Sequence, residues 1–493
     1  MPAKATLAYF RERKLKRGEV YEIEENGLEQ MMPVTGIDSA LVPGMVDAVL
    51  LALSEYGTLT FADVVQPALE LAENGIMDER CARELNATRR VLEMWPTSKA
   101  VFLPDGRVPR AGEVFRQTDL ARTLRLMMAA EQGKARTAGI EAVRDLFYRG
   151  DIARRIAAFA EAEGGLLRYE DLAGFRVEVE EPLAVPYHGY TVYKPGFWSQ
   201  GPSLIQVARL LDGMDLAAWN SAQYVHASVE AWKLAYADRD TWYGDPRFVK
   251  PPVELLSAEY ARQRRALVTD RASMEFRPGL GGDHPSAHIG KLMDISDELM
   301  QRDTTCVAAA DRDGVMFVAT PSGAWTPALI AGDTGIPLTQ RAQSFLLLPG
   351  HPNVVAGGKR PRVTLSPTLV TMAGRAYLAI ATPGGDNQEQ SQWQVMLNVL
   401  DFGMNAQQAV EAPRFQTRHL VSSFDNHGMA PGEVIIDERM GQRLMQDLTS
   451  RGHKVEMRTR YGSGAAPVAI RVLANGVIEA GADPIGFRSA RAW

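Results

Sequence analysis

Residues 303–325 read DTTCVAAADRDGVMFVATPSGAW, and this stretch decides the fold. Residues 306–310 are small, apolar and β-permissive. Asp311-Arg312-Asp313-Gly314 has turn chemistry with a glycine available for positive φ, and residues 315–320 run apolar again. The pattern predicts a β-hairpin. In an antiparallel pair, the start of the first strand and the end of the second lie at one end of the ribbon. Thr304 and Thr305 therefore return near Thr320 and Ser322. Hydroxyls gathered at a hairpin mouth fit a nucleophile and its support, although a Thr-Thr pair entering a strand also arises from β-propensity alone.

The rest of the chain bounds what such a site could be. With 493 residues, 46% hydrophobic and 23% charged, the composition is that of a globular protein with a large core. A net charge of −6 without long basic runs weighs against nucleic acid or an anionic membrane as partner. Two cysteines, Cys81 and Cys306, cannot form a disulfide framework and are expected to be buried and reduced. The eight histidines show no HExxH spacing, and no GxGxxG or Walker motif follows a strand, so neither metal nor cofactor is expected. No apolar run reaches transmembrane length and no secretory signal opens the chain, which places the expectation in the cytoplasm.

Upstream of the hairpin the period is helical. Pro43-Gly44 opens a helix over residues 45–55, and Thr60 caps the next over 61–73. Helices continue to about residue 165, after which the period switches to two, predicting strands over 175–180 and 190–193. Residues 195–202, PGFWSQGP, form a loop in which Phe197 and Trp198 either line a cleft or pack in the core. Helices follow over 204–211 and 222–240. Residues 268–300 are rich in Gly, Pro, Asp, Ser and His and read as a linker. Downstream, residues 363–372 and 375–382 form a second hairpin around Ala373-Gly374. Pro383-Gly384-Gly385 ends it, and Asp386 with Glu389 predicts a capping box for a helix to Phe402. Strands close the chain over 454–459, 468–472 and 477–479.

Three stretches carry a resemblance: Asp303-Thr304-Thr305; VPGMVDAVLLALSEYG (42–57) with VVQPALELAENG (64–75); and KLAYADRDTWYGDP (233–246). Together they resemble the γ-glutamyltransferase family of N-terminal-nucleophile hydrolases. The resemblance implies an α+β fold, a four-layer αββα sandwich made by intertwined large (1–303) and small (304–493) subunits. It implies self-cleavage between Asp303 and Thr304, giving a heterodimer of the two fragments, with further oligomerisation left open. Thr304 Oγ would be the nucleophile, with Ser322 as a second hydroxyl at it, and Gly384 and Gly385 would offer backbone N–H groups to an oxyanion. The chemistry is coherent, because a threonine hydroxyl needs a base and a free α-amine titrates near about 7.7–8.0. Cleavage makes nucleophile and base from one residue.

The departures from the family pattern concern its first segment and its substrate shell. Family members carry a segment before the position where this sequence starts, including glycine-rich strands and an arginine for the donor's α-carboxylate. Without such strands, sheet edges are expected to be exposed, and an export signal in such a segment would change the compartment to periplasmic or secreted. Where the family holds the donor's amine and carboxylate with Asn, Gln, Asp and a Ser-Ser pair, this chain places Ala324, Arg341, Ser344, Val363 and Thr364. The loop over 345–359 is shorter than the lid-bearing version, implying a more open cleft. Removing an anion and adding Arg341 favours a small-molecule amide whose acyl group bears a carboxylate, with Arg341, Ser344 and Thr364 as its binding residues. A γ-glutamyl group, or a glutaryl- or oxamate-type group, fits this description, with either water or an amine as the acyl acceptor. From a different class, a shortened and catalytically silent relative acting as a binding partner fits the missing segment.

Overall fold

The computed structural model describes residues 1–12, 32–214, 216, 218–283, 304–325, 328–424, 427–460, 462, 464–486 and 488–492. Its centre is a six-stranded antiparallel sheet. In chain order its members are β1 (Leu183–Tyr187) and β2 (Tyr190–Lys194), then, after the ribbon β3 (Val307–Ala310) and β4 (Met316–Ala319), β5 (Thr368–Met372) and β6 (Arg375–Ala381). A separate three-stranded sheet of β7 (Phe415–Thr417), β8 (Glu433–Asp437) and β9 (Lys454–Arg458) intervenes before the last two members, β10 (Val468–Val472) and β11 (Ile478–Ala482). The spatial order is β11-β10-β6-β5-β2-β1. The seam lies where β2 pairs with β5, with Val192 opposite Val370, so the parts before and after residue 303 share one sheet.

Helices α6 (Gly201–Leu211), α7 (Ala222–Trp242) and α8 (Asn387–Leu400) join the strand residues Val192, Val370 and Ile380 in one core through Leu204, Trp232 and Trp393. The β3–β4 ribbon packs on β6 and β10. A second core belongs to the helical block α1 (Met45–Tyr56), α2 (Phe61–Asn74), α3 (Thr118–Glu131), α4 (Arg136–Tyr148) and α5 (Asp151–Ala162). Leu329, Ala331 and Leu338, from beyond the ribbon, complete that core. Thr60 and Asp63 form the capping box that starts α2.

Helix α7 is buried on all sides, yet it carries Glu230, Lys233, Asp238, Arg239 and Asp240. Charges in such a place persist when partnered. Lys233 Nζ lies 2.6 Å from Glu230, and Arg239 Nε lies 2.8 Å from Asp240. No described helix is long and apolar enough to cross a membrane.

Four local expectations are corrected. Residues 175–180 form no strand, because their main-chain groups bond helix side chains: Asp47 accepts the Val177 N–H at 2.7 Å and Arg144 donates to the Phe175 carbonyl at 2.8 Å. Residues 363–367 stay irregular: Val363 bridges to Ser199, and Pro367 has no N–H to give a ladder before β5. Cys81 is exposed rather than buried, and Cys306 is half-buried. Finally, Asp386 and Glu389 make no capping box. Of the expected linker, residues 284–300 lie outside the described residues, as does Asp303.

Candidate active site

The ribbon register sets Val307 opposite Ala319, which returns the chain to Thr304. Thr304 Oγ1 donates to Ser322 Oγ at 3.1 Å, and the indole N–H of Trp325 donates to the same oxygen at 3.0 Å. Thr304 is 4% exposed, and its carbonyl accepts from Arg488 Nη2 of the C-terminal tail at 2.9 Å. The chain turns at Gly323, where φ is +121° and a Cβ would come within 2.5 Å of Thr339 Oγ1. Its carbonyl accepts the Gln340 N–H at 2.6 Å, which brings Arg341 beside the ribbon mouth.

Arg341 stacks on aromatic rings. Its guanidinium carbon lies 4.6 Å from the Trp325 centroid and 5.5 Å from that of Phe424, and these two rings meet edge to face at 5.8 Å. Nη1 donates to Thr364 Oγ1 at 3.4 Å. Ser344 ends the same short turn, Arg341–Ser344. Its carbonyl accepts from Asn353 Nδ2 at 2.6 Å, while its buried hydroxyl has no hydrogen-bond partner among the described residues. Val363 and Thr364 follow Arg362, a buried arginine whose pKa falls to about 10 through burial and then the charge of Arg239, against the pull of Asp240.

Gly384 and Gly385 take φ of +123° and +55°. A Cβ at Gly385 would come within 2.9 Å of the Phe424 ring, and one at Gly384 within 2.9 Å of the Gly464 carbonyl. Both glycine carbonyls are bonded to the start of α8, by the N–H groups of Asn387 at 2.9 Å and Gln388 at 3.2 Å. Among the described residues neither glycine N–H meets an acceptor. Two such donors at a 14-residue helix start suit a developing negative charge. Phe424 thus touches the space of the glycine turn, Arg341 and Trp325 together, and Trp325 reaches Ser322 and hence Thr304.

The expected capping box is replaced by a deeper arrangement. Asp386 has helical backbone angles, and its carboxylate accepts from Arg239 Nη1 and Ser423 Oγ, each at 2.6 Å, and from the Ser423 N–H at 2.9 Å. Glu389 is fully buried and meets Lys194 Nζ at 2.9 Å. Burial raises the Glu389 pKa and lowers that of Lys194, and each partner opposes the other's shift. Arg239 stays above its usual value, because Asp240 and Asp386 outweigh the larger single effect of burial.

The sequence reading missed Gln200, Arg239, Trp325, Phe424 and Arg488. Arg239 had a signal, a run of charges on a helix whose neighbours are apolar on every face. Trp198 lines a groove of about 550 Å³ with Glu180, Arg360 and Met316, whereas Phe197 packs on Tyr243 at 4.9 Å. His226, Glu230 and His453 bring potential metal-ligand atoms within 4.8 Å of one another. Glu230 is already neutralised by Lys233 at 2.6 Å with Arg277 at 3.6 Å, and His226 bonds His453 and the Thr269 carbonyl. That donor set fits an internal network better than a cation.

The α+β fold is that of the N-terminal-nucleophile hydrolases. The γ-glutamyltranspeptidase family model matches residues 8–493. The glutathione hydrolase-like YwrD proenzyme of Bacillus subtilis (strain 168) is 33% identical over 474 residues, covering 93% of this chain and 82% of that protein. Among solved structures, LmbA2991HD superposes with a TM-score of 0.90 at 35% identity, covering 99% of this chain and 86% of that one. The cephalosporin acylase from Bacillus halodurans gives 0.80 at 28% identity, covering 98% and 81%. The chain belongs to the γ-glutamyltranspeptidase family and is a hydrolase of that family.

Proposed function

We propose that this chain cuts itself between Asp303 and Thr304 and then hydrolyses amides whose acyl group ends in a carboxylate, glutaryl or γ-glutamyl groups among them. The observation that carries the reading is the Thr304–Ser322 hydrogen bond joined through Trp325 to the stacked Arg341 guanidinium. A nucleophile and a carboxylate partner then stand at one mouth.

In the maturation step, Thr304 Oγ attacks the Asp303 carbonyl, the C–N bond shifts to an ester, and water releases the Asp303 carboxylate and a free Thr304 amine. In turnover, that amine takes the hydroxyl proton as Oγ attacks the substrate carbonyl. The Gly384 and Gly385 N–H groups hold the oxyanion, the proton passes to the leaving amine, and water resolves the acyl ester. Ser322 Oγ keeps the nucleophile oriented. Arg341, with Thr364 at its Nη1, binds the substrate carboxylate, and Ser344 of the same short turn adds a hydroxyl. The product of maturation is a heterodimer of residues 1–303 and 304–493.

Denaturing mass analysis tests the first step. Two fragments divided at Asp303/Thr304, with Thr304→Ala remaining whole, are expected; an unmodified chain that stays intact overturns the reading. Turnover of glutaryl and γ-glutamyl anilides tests the second. Comparable or better use of the glutaryl substrate is expected, and a strong γ-glutamyl preference would show that an amine-binding group was overlooked.

A further inference from the structure

We propose that Gln200 is a positioning residue that fixes the spacing between the carboxylate arm and the oxyanion arm of the site. What those arms bind rests on the functional reading above; the spacing itself rests on geometry. Gln200 stands immediately before α6 and is 1% exposed. Its Nε2 donates to the Thr364 carbonyl at 2.9 Å and to the Gly385 carbonyl at 3.0 Å. Its Oε1 accepts from Arg239 Nη1 at 3.1 Å.

A primary amide offers two N–H donors and one carbonyl oxygen, and here each is used. Arg239 can only donate, so it decides which end of the amide faces which partner. The flipped amide would set an NH₂ against the guanidinium and an oxygen against two carbonyls. The main chain reinforces the link, because the Gln200 N–H donates to the Val363 carbonyl at 3.0 Å. Arg239 is itself held by Asp386 at 2.6 Å and by the Val421 carbonyl at 2.7 Å. Asp386 follows Gly385 in the chain, so Gly385, Gln200, Arg239 and Asp386 close a ring. Thr364, on the other donor of Gln200, carries Arg341.

A side chain of equal length without those donors keeps the packing and loses the link. Gln200→Met does this without charge; Gln200→Glu does it while turning oxygens toward both carbonyls. Each variant of the full chain is measured in two ways. By hydrogen exchange with mass analysis, peptides covering 363–367 and 384–388 are expected to exchange at least about tenfold faster, with peptides over 204–211 unchanged. With a glutaryl anilide, kcat is expected to fall about 10- to 100-fold and KM to rise several-fold. Unchanged exchange in both peptides in both variants overturns the proposal, whether or not the chain hydrolyses an anilide. Faster exchange with kcat and KM within about twofold of the unmodified chain overturns the role in the reaction. Faster exchange alongside an unmodified chain that neither splits nor turns over an anilide leaves Gln200 as the spacer and removes the functional reading alone.

Discussion

The glycine turn at 384–385 and the β3–β4 ribbon both contribute to the site, and they are held in different ways. Behind the turn lie Arg239, Asp386, Gln200 and Ser423, with side-chain hydrogen bonds of 2.6 to 3.1 Å among them. The ribbon consists of two four-residue strands, and Val307 and Phe317 are each 45% exposed. Groups that must meet a developing charge gain from a fixed frame, since nothing then has to reorganise during the reaction. On the proposed reading the bond that breaks, Asp303–Thr304, precedes this ribbon in the chain, and a lighter hold there is tolerated. On that reading the contrast separates the electrostatic work of the site from its covalent work.

Substitutions can break that contrast or sharpen it. Gly385→Ala should have the largest effect. With φ of +55° and a Cβ 2.9 Å from Phe424, alanine would displace the glycine turn, and if that turn holds the oxyanion, kcat on an anilide should fall by about 100-fold or more. Asp386→Ala should follow, leaving the fully buried Arg239 with one carboxylate fewer. Urea denaturation should show a loss of about 3–5 kcal/mol. Acid should act away from both regions, at the His226–His453 pair. Burial first, then the charge of Lys233 and the neighbours His226, Arg451 and His419, hold the His453 pKa down from 6.5 to about 3. The folded form therefore keeps this imidazole neutral where the unfolded chain protonates it. Stability should be complete above about pH 6.5 and be lost as pH falls toward 3, at up to about 1.4 kcal/mol per pH unit. Denaturation curves at pH 7, 6 and 5 should show the slope, and His453→Gln should flatten it. Phe317→Thr, on the open face of the ribbon, should change stability by less than about 1 kcal/mol and leave cleavage intact. A larger loss would mean that the ribbon is held as firmly as the turn.

What was legible in the sequence followed local patterns. The β3–β4 ribbon, α1 and α2 showed in periodicity and turn chemistry, and Thr304 meets Ser322 because antiparallel pairing requires it. Two of the errors share one cause, which is long-range partnering. Asp386 and Glu389 have the spacing of a cap, but Arg239 and Lys194, each more than 140 positions away, claim their carboxylates. Residues 175–180 have the period of a strand, yet Asp47 and Arg144 take their main-chain groups. Gln200 was invisible for the same reason, since its three partners sit at positions 239, 364 and 385.

Trp325 has one further consequence. Its indole N–H is bonded to Ser322 Oγ, the oxygen that also accepts from Thr304, and its ring lies under the Arg341 guanidinium 4.6 Å away. On the proposed reading an anion draws that arginine off the ring, and the emission of Trp325 is then expected to change. In a Thr304→Ala chain, the emission change on adding glutarate, less that of the same chain carrying Trp325→Phe, separates this ring from the seven other tryptophans and would report occupancy before any product forms.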